Sequence, residues 1–260
     1  MQKTAKLYGW VAWQALRLAV KAWPVALVVV AYALLMGFAA TLLAPLGTIG
    51  GFLLGLLEAL CISSYLYLLS QAVAGSRISL ADLRRNFASL FIEVIGVLFL
   101  LWIAGIAVGF LARLASERSA FVMAAYGLAV AVFLNPVPEI IYQGRSPGRS
   151  TELLMASIRF IQQFWIEWFA PNILFGVLLV GVAYGAEALN AQTLMTTLPG
   201  LFSLQGGYTL APSLLSGGRP LWLWPILLAI VHYAMVFRGV LFRELSSGGW
   251  RVRAFRSFGR

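Results

Sequence analysis

From Ile173 the chain runs to Glu187 without a charged residue, and between Lys21 and Arg77 it carries only one, Glu58. Crossing a hydrocarbon core about 30 Å thick takes roughly 20 predominantly apolar residues. Inside such a core every backbone N–H and C=O must be bonded within the protein, and unbroken apolar runs of this length meet that demand as helices. Hydrophobic residues make up 61% of the chain and charged residues 11%. A soluble domain of this length has no use for so much apolar surface, so lipid is its solvent.

The stretch Thr151–Leu189 shows how the runs begin. Its first half is amphipathic at helical period: Glu152, Ala156, Arg159, Gln163 and Glu167 share one narrow stripe. Leu153, Leu154, Ile158, Ile161, Trp165, Ile166 and Trp168 cover the rest. A helix of this kind, with tryptophans near its exit, suits the membrane–water boundary. Pro171-Asn172 is expected to break it, with a span following. The same order occurs at Arg17 and Trp23 and at Arg85 and Phe91, each ahead of a long apolar run. The second and third copies share Ile-Glu after the aromatic, at Ile92-Glu93 and Ile166-Glu167. Either a basic flank plus an aromatic belt produces this spacing by itself, or the chain repeats threefold, each unit being an interfacial helix followed by a transmembrane hairpin.

The expected fold is therefore all-α: one transmembrane domain over residues 1–260, with interfacial helices over 7–22, 79–92 and 151–169. Spans are placed at about 25–44, 49–74, 94–112, 121–142, 173–189 and 221–244. The first span reads as an uncleaved anchor, because Met1–Lys21 is too long for the basic start of a signal peptide and no small-residue cleavage site follows. Asn135-Pro136-Val137-Pro138 should loosen the end of span four. Residues 190–219 form the longest loop, still apolar, and are expected to fold back on the bundle or dip into the headgroups.

Six spans place nearly all the basic residues on one side, with Arg113, Arg118 and Arg219 on the other. The positive-inside rule then puts both termini in the cytoplasm. The net charge of +10 is explained by this topology and by anionic headgroups, and it does not call for nucleic acid. Arg17, Trp23, Arg85, Arg159, Trp165, Trp168, Arg251 and Arg253 are the expected contacts to headgroups or to a protein partner.

Chemistry has few footholds. A single histidine and a single cysteine rule out a zinc site of the H-E-x-x-H or Cys/His type within this chain, and no nucleotide-cradling G-x-x-x-x-G-K-[ST] is present. No G-x-S-x-G occurs either. The reading is a non-enzyme without cofactor or metal. Five polar residues stand inside or beside apolar runs: Glu58, Glu187, His232, Arg238 and Glu139. A carboxylate at membrane depth is either a proton or cation site or a hydrogen-bonded lock between helices. His232 reads more simply as a packing residue than as a ligand. Arg238 has Glu139 and Glu93 within plausible reach, and such a pair would set helix register. Gly47/Gly51/Gly55, Gly105/Gly109 and Gly181/Gly185 fall at the spacing that lets helix backbones approach.

The interfacial-helix-plus-hairpin arrangement, with ELLMASIRFIQQFWIEWFAPN ahead of a span, resembles bacterial six-span membrane proteins. It is similar to the membrane domain attached to some glycerophosphodiester phosphodiesterases and, more distantly, to Yip-type proteins. The resemblance covers the architecture and that one stretch, and the phosphodiesterase domain is absent. It implies an inner-membrane protein for bilayer association or scaffolding, and it carries over no active residue. The leading expectation is a non-catalytic accessory or scaffold subunit, with a protein partner or a second copy, or a protein in lipid contact. A second is the permease subunit of an ABC-type exporter, with residues 77–90 as the coupling helix. A third is a proton- or ion-coupled carrier using Glu58, Glu187 and His232.

Overall fold

The computed structural model describes residues 2–76, 86–144, 149–184 and 222–247. Among them every regular element is a helix. They are α1 (Gln2–Lys21), α2 (Pro24–Leu43), α3 (Gly47–Ala74), α4 (Phe91–Leu114), α5 (Ser119–Phe133), α6 (Val137–Gln143), α7 (Ser150–Tyr184) and α8 (Leu223–Ser246). Among the described residues five stretches are long and apolar enough to cross a membrane, and the first, Pro24–Ala74, is α2 and α3 joined by a 3-10 turn at Ala44–Leu46. Bulky apolar side chains cover the outside: Leu34, Phe38, Phe52, Phe110, Phe121 and Leu174 are all exposed. Such a surface is unfavourable in water and suits lipid. The described chain is a helical bundle with the surface of a membrane protein.

Packing is uneven. Of the most apolar window of α8, 67% is buried, against 11% for α4. Helix α8 lies at the centre, touching α1, α2, α3, α6 and α7. Its Leu227, Val236, Val240 and Leu241 meet Ile62, Leu66 and Leu69 of α3 in one core. Helices α4 and α5 form a hairpin that rests on α3 and α7 and leaves most of its length uncovered.

Helix α1 buries Leu7, Val11, Ala15 and Ala19 against the bundle, a four-residue spacing that makes one stripe. Trp10, Trp13 and Arg17 remain on its exposed side, and Trp23, at the start of α2, is exposed as well. This arrangement of aromatics and cations suits an interfacial helix. The end of α3 is closed by its neighbours. Gly75 adopts φ 75°, which glycine enters without steric cost, and Ser76 N–H bonds back to Gln71 O at 3.0 Å. Arg243 of α8 donates to Val73 O at 2.9 Å, and Lys21 of α1 donates to Gly75 O. Two cations thus meet the negative end of the α3 dipole.

Two expectations are corrected. Helix α7 does not break at Pro171-Asn172 but continues from Ser150 to Tyr184, and its departure from helical geometry lies earlier, at Phe164 (φ −131°, ψ 25°). Proline at 171 removes the N–H that would bond the carbonyl of Glu167. Tyr8 of α1 donates its hydroxyl to that carbonyl at 3.1 Å, so the helix passes through the proline with the bond made from outside. Burial, with the Glu167 charge adding to it, lifts the Tyr8 phenol above its ordinary pKa, so it remains a donor. The helix expected over 79–92 is also revised in its described part: residues 86–90 form turns, and α4 starts at Phe91. Ser63 Oγ of α3 accepts the Leu90 N–H at 3.1 Å and pins that start. Residues 77–85, the apolar loop over 190–219 and the end of the span expected to reach 189 lie outside the described residues.

Candidate functional site

The break between α5 and α6 creates the demand that the centre of the bundle answers. Pro136 and Pro138 withhold two N–H groups, and the chain turns at residues 134–136. Ser157 of α7 donates to Phe133 O at 2.6 Å. Arg238 Nη2 of α8 donates to Asn135 O at 2.8 Å. Both carbonyls are at the break, so side chains of α7 and α8 supply donors where the helical ladder is interrupted.

Arg238 reaches that carbonyl as part of a larger arrangement. Its Nε donates to Glu139 Oε1 at 2.8 Å and its Nη2 to Glu139 Oε2 at 3.0 Å, a two-pronged pair with both side chains shielded from solvent. The guanidinium carbon lies 5.1 Å from the centre of the Trp168 ring, on its face. Trp168 in turn donates Nε1–H to Asn135 Oδ1 at 2.7 Å, and Asn135 Nδ2 donates to Ala131 O at 3.3 Å. Asn172 Nδ2 donates to Trp168 O at 2.8 Å, one turn further along α7. Phe160 and Phe242 pack edge-on to the Trp168 ring and hold it in place.

Two tyrosines complete the cluster. Tyr65 of α3 and Tyr142 of α6 are buried and lie close enough to feel both the Arg238 and the Glu139 charge. The Tyr142 hydroxyl sits over Gly239, where an added Cβ would come within 2.5 Å of it and of Val73 Cγ2. Gln143 Nε2 donates to Gly239 O at 2.8 Å. Tyr65 Oη, Asn172 Oδ1 and His232 Nδ1 make no hydrogen bond among the described residues, which leaves the buried region some unused bonding capacity.

The sequence candidates separate clearly on this map. Arg238 and Glu139 meet, and Glu93 is not the partner. His232 is buried, with Nε2 3.1 Å from Ala19 O, where it ties α8 to α1. Glu58 is half-buried on α3, about two turns from Tyr65. Arg17 is exposed, 5.2 Å from the Trp13 ring centre, and Trp23, Arg159 and Trp165 are exposed as well. Trp168 is a correction: it was expected at the headgroups and is 0% exposed, against 60% for Trp165. Only one face of α7 looks outward, and the Asn135 side chain gives the Trp168 N–H a partner inside. Glu187, Arg85, Arg251 and Arg253 lie outside the described residues.

Sequence reasoning missed Asn135, Tyr65, Tyr142 and the inward role of Trp168. Asn135-Pro136 signalled a helix break, and a break at depth requires donors from elsewhere, so the missing signal was a demand for partners rather than a motif. No group of three or more His, Cys, Asp or Glu side chains able to hold a metal ion occurs among the described residues. No protein-family model, curated protein or solved structure matches the chain.

Proposed function

We propose that the chain is a non-catalytic subunit of the inner membrane, with six spans and both termini in the cytoplasm, that supports a larger complex or holds lipid through its interfacial helices. One observation carries the reading. The best-formed polar arrangement at depth, Arg238 with Glu139, Asn135 and Trp168, is bonded to itself across α6, α7, α8 and the preceding turn. A carrier site must exchange partners with a passing ion, whereas this pair is closed on two prongs and capped by an indole. Its use is to fix how the helices meet. The exposed Trp10, Trp13 and Arg17 of α1, with Trp23 at the start of α2, support contact with headgroups on the cytoplasmic side.

The test is native mass spectrometry of the full chain extracted from its own membrane in a mild detergent. A stoichiometric protein partner other than an ATPase, or retained lipid, is the expected result. A stoichiometric ATPase overturns the proposal in favour of an exporter permease. A lone chain without partner or lipid overturns it as well, and ion-driven uptake lost in a Glu58→Gln, Glu187→Gln double variant would establish the carrier instead.

A further inference from the structure

The α4–α5 hairpin carries a groove of about 550 Å³, within the range of roughly 300–1,000 Å³ common to small-molecule sites. Trp102, Ile106 and Phe110 form one wall from successive turns of α4, and Tyr126 of α5 closes the other side. Gly105 and Gly109 are the floor, and an added Cβ at Gly109 would meet nothing within 4 Å. Tyr126 donates its hydroxyl to Leu101 O at 2.9 Å, so its polar end is already engaged and its ring faces the space as an apolar surface. The lining ends at Arg113, in the last turn of α4.

We infer that this groove holds an acyl chain of an anionic phospholipid, with the phosphate at Arg113. The side chains along the groove are apolar apart from Tyr126, whose hydroxyl is engaged, and the charge is confined to one end, which is the polarity of a lipid. Helix α4 has 24 residues, about 36 Å at 1.5 Å per residue, so its last turn reaches the headgroup level. Arg113 is exposed there and has no ion-pair partner among the described residues. The turn beyond adds Glu117 and Arg118, whose charges offset, leaving a net positive end. The sparse burial of α4 and α5 leaves the groove open at the surface of the bundle, where a lipid chain can enter it. This inference rests on the membrane-bundle fold and is independent of the accessory role proposed above.

The experiment is native mass spectrometry of the full chain in micelles titrated with phosphatidylglycerol or phosphatidylcholine. Phosphatidylglycerol should be retained in preference, and R113Q should weaken it about fivefold, the worth of one basic residue near a headgroup, without changing phosphatidylcholine. G109L, which fills the floor, should abolish retention at an unchanged melting temperature. If G109L lowers that temperature, I106W, at an exposed position, fills the same groove and should do the same. Equal retention of the two lipids, or retention unchanged in R113Q and in the filled variants, overturns the inference. Displacement by millimolar inorganic phosphate overturns it too, since it would identify a phosphate site without an acyl chain. So does a dimer that the filled variants dissociate, since the groove would then be an interface between copies of this chain.

Discussion

Arg238 and Glu139 show what a charge inside a membrane requires: a full partner for each prong and an aromatic face over the remainder. Removing one member strands the other, so Glu139→Gln should destabilise the bundle by about 3–5 kcal/mol. Replacing both, as Arg238→Met with Glu139→Leu, should restore most of that loss, because the desolvation cost disappears with the charges. Unfolding in mixed micelles measures both; a double variant as unstable as Glu139→Gln would show that shape rather than charge sets the cost. Trp168→Phe keeps the ring but loses the bond to Asn135 and part of the cation–π contact, and should cost about 1–3 kcal/mol by the same measurement. At this scale the sequence was half legible. Charges within apolar runs must find each other, so position narrowed the partner of Arg238 to Glu139 or Glu93, and only the packing of α6 against α8 decides between them. Asn135 and Trp168 were not legible, because helical period tells which face a residue occupies and not which helix lies against it.

Helix α7 carries a proline that the bundle repairs from outside, with the Tyr8 hydroxyl on the freed Glu167 carbonyl. A double-mutant cycle isolates this repair. Tyr8→Phe should cost about 1 kcal/mol in the native background, and less when Pro171→Ala has given the carbonyl a donor within α7. Equal costs in both backgrounds would remove the link between Tyr8 and the proline. The close approach of α8 to α6 and α3 is equally specific. Gly239→Ala puts a Cβ 2.5 Å from Tyr142 Oη and Val73 Cγ2, and should lower stability by about 1–3 kcal/mol through overpacking. A melting temperature that does not fall would mean that the helices separate freely at this point. The helices themselves were legible, because a long uncharged run in lipid has few alternatives. Their interruptions were not. Proline was expected to end α7, yet in a packed bundle a lost hydrogen bond can be supplied by a neighbour, and the sequence of one helix does not contain that neighbour.

Taken whole, the bundle is dense where α3, α6, α7 and α8 meet and sparse along the α4–α5 hairpin. The proposed topology is open to labelling, because the single cysteine, Cys61, is buried and should resist a membrane-impermeant maleimide in the folded protein. Cysteine introduced at Lys6 or Ser247 should then react from the cytoplasmic side, and at Glu117 from the opposite side. Labelling of all three from one side would refute six spans with both termini inside. The ion pair has a further consequence in time. Its members are 99 residues apart in the chain, and ribosomes add about 5–20 residues each second. Glu139 therefore enters the bilayer several seconds ahead of Arg238, and α8, the last of the described helices, brings both the guanidinium for Glu139 and the cation that closes α3 at Val73. Until translation delivers that helix, the nascent protein carries an acid without its counter-charge and a carbonyl at Val73 without its arginine. A chain cut short before α8 keeps both groups without the arginines that would meet them.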